Sequence, residues 1–149
     1  MAYGHRCGAV KAGLARSRPP HRSHPNPGGI QVTDCVFCEI VAGRAPANVV
    51  KEWEDALAIV PIRPVVQGHT LVIPKRHVTD FGEDPDVSAS TMRRAAELAV
   101  GEQPMNLITS RGREATQSVF HLHLHLVPRA ANDGLALPWS GGHGRQRAE

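Results

Sequence analysis

Between residues 118 and 128, apolar and polar side chains alternate with the period of two that is typical of a β-strand. On the strand predicted from Ser118 to Pro128, three leucines point to one face and three histidines point to the other. These residues are Leu122, Leu124 and Leu126, and His121, His123 and His125. We interpret the leucine face as the core side, so the three imidazoles share the opposite face at a spacing of roughly 6.6 Å.

The same pattern predicts two helices and four further strands. Asp34 is a suitable N-cap for a short helix from Cys35 to Ala42, and Ser88 is suitable for a helix from Ala89 to Val100. The further strands are expected at Val49–Trp53, Ala56–Ile62, His69–Lys75 and Asn106–Ser110. Because the strands follow one another closely and helices do not alternate with them, we expect an α+β fold with a five-stranded antiparallel sheet.

The chain of 149 residues has room for one domain between two terminal segments. Residues 1–32 are predicted to be a disordered basic leader, because they are rich in proline and their first 30 residues contain five basic and no acidic side chains. The glycine-rich residues 131–149 are expected to be a flexible carboxy-terminal tail. The folded domain is therefore predicted at residues 33–130.

The charge distribution argues against a nucleic-acid partner. The net charge of +3 comes from the predicted leader, since the remaining residues carry twelve basic and fourteen acidic side chains. A nucleic-acid-binding domain would be basic on its own surface.

No apolar run approaches the length that crosses a membrane, and three cysteines do not form a disulfide framework. We therefore expect a soluble cytoplasmic protein with no membrane or nucleic-acid partner.

The spacing of two cysteines indicates a metal site. Cys35 and Cys38 are three residues apart on the predicted helix and therefore lie on one face. Such a pair supplies half of a structural zinc site, which needs four ligands, and His77 and His121 are the candidates for the other half. A thioredoxin-type redox motif is the rival interpretation, although its usual βαβ context is absent. The third interpretation is a pair of structural cysteines that bind no ligand.

The spacing of the three histidines limits the chemistry they can share. On an extended strand His121 and His125 stand about 13 Å apart, too far to bind one tetrahedral ion together. Either two of the histidines bind one ion, or the three have separate roles. If His121 binds metal, His123 and His125 remain as a nucleophile for phosphorus and a group that stabilises phosphoryl charge. Ser118 could move a proton only if a bulge or turn near Val119 brings it to the histidine face.

These residues resemble the histidine triad (HIT) family, whose signature is three histidines alternating with apolar residues, complete here at residues 121–127. Residues 35–47 resemble the amino-terminal helix of its nucleoside phosphoramidase branch, residues 68–77 its central strand, and residues 117–119 the segment before the triad. The resemblance covers about residues 34–130. The third histidine argues against the nucleotidyl-transferase branch, in which that position is Gln.

The resemblance implies a homodimeric, zinc-containing hydrolase that cleaves at the α-phosphate of a purine nucleotide or nucleotide conjugate through a nucleotidyl-histidine. On that pattern His123 attacks phosphorus, His125 contacts the phosphate, Ser118 protonates the leaving group and Gln117 holds the phosphoryl group. The implied ligands of a structural Zn²⁺ are Cys35, Cys38, His77 and His121. The implied residues of the nucleoside pocket are Phe37, Ile40, Ile59 and Leu71, with Ser110 near the phosphate or ribose.

Three departures from the family pattern leave the nucleoside preference open. Pro61 stands where the phosphoramidase branch usually has an Asp that binds the ribose hydroxyls, and Ser110 stands where an Asn is common. The helix of residues 88–100 and the loop after it are also short for the family. None of these departures touches the phosphate chemistry. The alternatives to a phosphoramidate hydrolase are a dinucleoside polyphosphate hydrolase or phosphorylase, and a nucleotide- or zinc-binding regulatory module without turnover.

Overall fold

The computed structural model of the chain describes residues 35–101 and 103–137. The predicted leader, Asp34 and the end of the predicted tail lie outside these residues. The elements in chain order are α1 (Val36–Val41), β1 (Asn48–Glu52), β2 (Ala56–Val60), β3 (Thr70–Pro74), α2 (Pro85–Leu98), β4 (Met105–Ile108) and β5 (Leu124–Pro128). No helix in the described ranges is long and apolar enough to cross a bilayer.

The strands form one five-stranded sheet in the order β1-β2-β3-β5-β4, and every neighbouring pair is antiparallel. The predicted α+β class is therefore confirmed, and the first four strands begin and end within two residues of the predicted positions. Strand β5 lies between β3 and β4, so that His125 pairs with Leu71 on one side and with Ile108 on the other.

The two faces of the sheet bury different side chains, because successive residues of a strand point in opposite directions. Helix α2 covers one face, where the core residues are Ala56, Ala58, Val72, Val78, Ala95, Leu122, Leu124 and Leu126. Helix α1 covers part of the other face, where Cys35 and Phe37 pack with Leu57, Ile59, Leu71 and Ile73. The three leucines of the histidine-rich segment are 3% exposed or less, so the prediction that they face the core is confirmed.

The predicted start of the second helix was wrong, because α2 begins at Pro85 instead of Ala89. Asp84, and not Ser88, is the N-cap: its side chain accepts hydrogen bonds from the backbone N–H groups of Asp86 and Val87. A proline favours the first helical position because its missing N–H would have no partner there. Ser88 lies inside the helix, where its hydroxyl donates to the backbone carbonyl of Phe81. At the first helix, the N-cap position is occupied by Cys35.

The predicted fifth strand was too long, because β5 begins at Leu124 and not at Ser118. The chain bends at residues 119–121, and the backbone N–H of Leu122 donates to the carbonyl of Val78, which lies outside the sheet. The alternation of leucine and histidine continues through this segment because the core lies on one side of it and α1 on the other. Of the three histidines, only His125 lies in the strand proper.

Candidate active site

Two thiols and two imidazoles meet at the amino-terminal end of α1. Their ligand atoms all lie within 4.8 Å of one another. Nδ1 of His121 is 3.4 Å from Sγ of Cys35, 3.5 Å from Sγ of Cys38 and 3.2 Å from Nδ1 of His77. A tetrahedral zinc site with Zn–S bonds of ~2.3 Å and Zn–N bonds of ~2.1 Å has ligand separations of roughly 3.4–3.8 Å. The four predicted ligands are therefore brought together in a group that fits a tetrahedral ion.

The second ring nitrogen of His121 orients this side chain toward the cluster. Nε2 lies 2.9 Å from the carbonyl oxygen of Pro74, which only accepts, so the proton is on Nε2 and Nδ1 faces the thiols unprotonated. Metal-binding imidazoles are commonly held in this way. Burial lowers the pKa of His121 to about 4 and raises the pKa of the Cys38 thiol to about 11. A bound cation reverses the second shift because it stabilises the thiolate.

His123 lies outside this four-residue cluster and is only 8% exposed. Its Nδ1 is 2.7 Å from the backbone carbonyl of His121, so Nδ1 carries the proton and Nε2 keeps its lone pair. The ring of Phe37 packs edge-on at 5.4 Å between centroids, and the ring of His125 lies at 5.1 Å. An imidazole with this tautomer, held in place on three sides, is suited to nucleophilic attack through Nε2.

A histidine that sequence reasoning missed, His69, is hydrogen-bonded to His125. The backbone N–H of Val65 donates to Nδ1 of His69, and Nε2 of His69 lies 3.0 Å from Nδ1 of His125. Since Nδ1 of His69 accepts, its Nε2 carries the proton and donates to Nδ1 of His125. His125 is then protonated on Nε2, where it can donate to a phosphate oxygen. No local signal in the sequence marks this role, because the partner of His69 lies 56 positions away.

The His69–His125 pair gives an expected pH dependence of stability. Burial lowers the pKa of His125 to about 4, whereas an unfolded histidine titrates near about 6.5. Between these values the unfolded chain binds more protons than the folded chain, so the free energy of unfolding falls as the pH falls. We expect His125→Gln to reduce this fall by up to about 3 kcal/mol between pH 6.5 and 4.

Denaturant unfolding of both proteins across this pH range measures the difference. The acid sensitivity of the thiol and imidazole cluster is common to the two proteins and cancels in the comparison. Identical pH profiles for wild type and His125→Gln would contradict the assignment of a half-buried, neutral His125.

The structure gives Gln117 partners other than the predicted phosphoryl group. Its side chain is buried, Oε1 accepts from the backbone N–H of Gly112, and Nε2 donates to the carbonyls of Thr79 and Val119. Gln117 thus fixes the loop that precedes the histidines. Ser118 is exposed, and its hydroxyl makes no hydrogen bond to the part of the chain that the structure describes. The chain bends at residues 119–121, directly after Ser118, and the role of Ser118 in proton transfer stays a prediction.

An apolar pocket of about 740 Å³ opens beside His123, between α1 and the end of β2. The residues predicted for a nucleoside pocket all line it: Phe37, Ile40, Ile59 and Leu71. Ile59 and Leu71 are paired across β2 and β3, and Phe37 contacts both the pocket and the ring of His123. Ser110 does not line this pocket and lies after β4. Phe37 therefore connects the pocket with the candidate nucleophile, because it lines the first and contacts the second.

The antiparallel sheet, the alternating histidines and the pocket define a histidine triad domain. The family model described as HIT domain matches residues 42–132, which is more than half of the chain. The chain belongs to the histidine triad family.

Relatives and solved structures agree with this assignment. An uncharacterised HIT-like protein of Methanocaldococcus jannaschii is 40% identical over 106 residues, which cover 67% of this chain and 82% of the relative. The adenosine 5'-monophosphoramidase of Schizosaccharomyces pombe is 35% identical over 70% of this chain and 82% of its own. The crystal structure of a zinc-bound histidine triad protein from Mycobacterium smegmatis is 38% identical, with a TM-score of 0.63 over 71% of this chain and 82% of that chain.

Proposed function

We propose that the protein hydrolyses nucleotides at the α-phosphate, with nucleoside phosphoramidates as the substrate class. The observation that carries the proposal is the position of His123. Its ring lies outside the cluster of two thiols and two imidazoles and beside the apolar pocket, and its Nε2 is unprotonated. The similarity to the adenosine 5'-monophosphoramidase of Schizosaccharomyces pombe supports the choice of a phosphoramidate linkage.

The proposed reaction has two steps. Nε2 of His123 forms a bond to the α-phosphorus while the bond to the leaving group breaks, and the amine leaves with a proton supplied by Ser118. The carbonyl of His121 accepts from Nδ1 of His123 and stabilises the positive charge that develops on the ring. The Nε2–H of His125 donates to a non-bridging phosphate oxygen. Water then attacks phosphorus and passes a proton back to Ser118, while the bond between phosphorus and Nε2 breaks; this releases the nucleoside monophosphate and restores the neutral imidazole and the serine hydroxyl.

We propose Zn²⁺ as the ion of the cluster formed by Cys35, Cys38, His77 and His121, in a structural role. Two thiolates and two imidazoles are a common structural zinc set, and the similar Mycobacterium smegmatis protein is described as zinc-bound. When bound, the ion would tie α1 to the end of β3 and to the bend before β5. The cluster would thereby fix the carbonyl of His121 that orients His123.

A homodimer stays a prediction, and one surface supports it. Strand β4 is an edge strand with Leu107 and Ile108 exposed, and beside it Phe81 and Met92 are each 44% exposed around an apolar pocket. An uncovered edge with apolar side chains favours pairing with a second strand. Sedimentation velocity is expected to give twice the monomer mass, and replacing Ile108 with Lys is expected to shift the population to monomer.

A side-by-side assay tests the proposed reaction. Adenosine 5'-phosphoramidate and diadenosine tri- and tetraphosphates are supplied with label in the α-phosphate, and the protein is quenched during the first turnover. We expect a protein-bound label that is stable to base and released by acid, with faster turnover of the phosphoramidate. Faster turnover of a dinucleoside polyphosphate would favour the alternative function, a dinucleoside polyphosphate hydrolase. Nucleotide binding without an adduct from any donor would indicate a regulatory module and overturn the proposal.

A further inference from the structure

The pocket beside His123 has an unusually apolar rim. Among the described residues that line it, Asn48 is the only polar side chain, and none carries a carboxylate. Three of the lining residues are prolines, Pro46, Pro61 and Pro64, whose backbone nitrogens cannot donate hydrogen bonds. The rim at Pro61 continues into Ile62, which is 97% exposed. A ligand group that lies against this rim therefore meets few hydrogen-bonding partners.

Under the proposed function, the rest of the site does not use the hydroxyl groups of a sugar. The imidazoles of His123 and His125 would contact the phosphate, and apolar side chains that line the pocket, such as Phe37 and Leu71, would contact the base. A hydroxyl bound by a charged acceptor contributes a factor of roughly ten to a hundred in affinity. An apolar pocket, by contrast, discriminates weakly between ligands that differ only by a hydroxyl.

We propose that this pocket binds the base and the phosphate of a nucleotide without selecting the 2' and 3' hydroxyls of the sugar. The substrate class thereby extends to conjugates of 2'-deoxyribonucleotides, which are used about as well as ribonucleotide conjugates. This inference rests on the proposed function, because it concerns the sugar of the same nucleotide.

The experiment compares three substrates that differ only in the sugar. The 5'-phosphoramidates of adenosine, 2'-deoxyadenosine and 2',3'-dideoxyadenosine are expected to have kcat/KM values within about threefold of one another. The dissociation constants of the three 5'-monophosphates, measured by calorimetry, are expected to agree to the same degree. A loss of tenfold or more on removing the hydroxyls overturns the inference.

A matched pair of variants tests the position of the sugar. Pro61→Asp adds a carboxylate at the rim and is expected to raise the preference for adenosine over 2',3'-dideoxyadenosine by about tenfold or more. Pro61→Ala removes the ring without adding an acceptor, and the wild-type ratio is expected. If Pro61→Asp also keeps the wild-type ratio, the sugar does not lie against this rim and the inference is overturned.

The outcomes separate this inference from the proposed function. Equal binding of the three monophosphates without hydrolysis of any phosphoramidate supports the inference and overturns the proposed reaction. Hydrolysis with a strong preference for the ribonucleotide supports the proposed reaction and overturns the inference about the sugar. Absence of measurable binding for all three monophosphates overturns the inference, because the pocket would then not be a nucleoside site.

Discussion

Replacing His123 with alanine is expected to lower kcat/KM for a nucleoside phosphoramidate by roughly 10⁴-fold or more. The reason is that Nε2 of this ring is the atom proposed to bond to phosphorus, and no other described imidazole has the same combination of surroundings. His121 faces the two thiols, and Nδ1 of His125 accepts a hydrogen bond from Nε2 of His69. Rapid-quench measurement of the first turnover should show no base-stable adduct in the variant.

Two measurements separate lost chemistry from lost structure. The ring of His123 is buried against Phe37, so the variant's thermal unfolding and its affinity for a nucleoside monophosphate are measured together with activity. The matched control is His125→Gln, which removes a neighbouring imidazole and is expected to form the adduct more slowly but still to form it. A folded His123→Ala protein that retains a hundredth or more of wild-type activity would show that another group is the nucleophile.

The sequence predicted the faces of the histidine segment correctly but placed the start of its strand too early. The alternation of leucine and histidine records which side of the chain is buried, and that information holds whether or not the backbone is paired in a sheet. Strand pairing depends on a neighbour, and before Leu124 the segment bonds to Val78 instead of a strand. The pattern therefore identified Leu122 as core while misplacing the start of β5.

Misplaced or missed residues share a physical cause: their roles are defined by distant partners. Nothing local distinguishes Gln117 as a residue whose amide bonds to Thr79, which lies 38 positions away. The role of His69 likewise depends on His125, 56 positions away. The start of α2 is the exception, since the Asp84–Pro85 pair is a local helix signal that outweighs Ser88.

The cluster of two thiols and two imidazoles was predictable because its signal is both local and chemical. The two cysteines lie at helical spacing on α1, and they need two more soft or nitrogen ligands to complete a structural site. The candidates His77 and His121 could be chosen from the sequence, and the structure brings both within reach of the thiols. The tautomer of His121 could not be predicted from the sequence, because it depends on a hydrogen bond to the carbonyl of Pro74.

Cys38→Ala is expected to abolish metal binding and to lower the stability of the domain. Purified wild-type protein should contain about one zinc per chain, a content that the variant should lose. Structural zinc sites bind with an apparent free energy of ~10–16 kcal/mol at neutral pH, and part of this energy stabilises the fold. Since the cluster joins α1 to two other segments, we expect the thermal midpoint to fall by ~10 °C or more. Elemental analysis and calorimetry measure both effects.

Cys7→Ala is the matched control for this prediction, because it removes a thiol from the predicted leader and none of the proposed ligands. It should keep the wild-type zinc content and thermal midpoint. Zinc affinity should also weaken as the pH falls, because protons compete with the ion for two thiolates and two imidazoles. Unchanged zinc content in Cys38→Ala would remove the zinc assignment, whereas lost zinc with an unchanged midpoint would show that the ion does not hold α1 to the sheet.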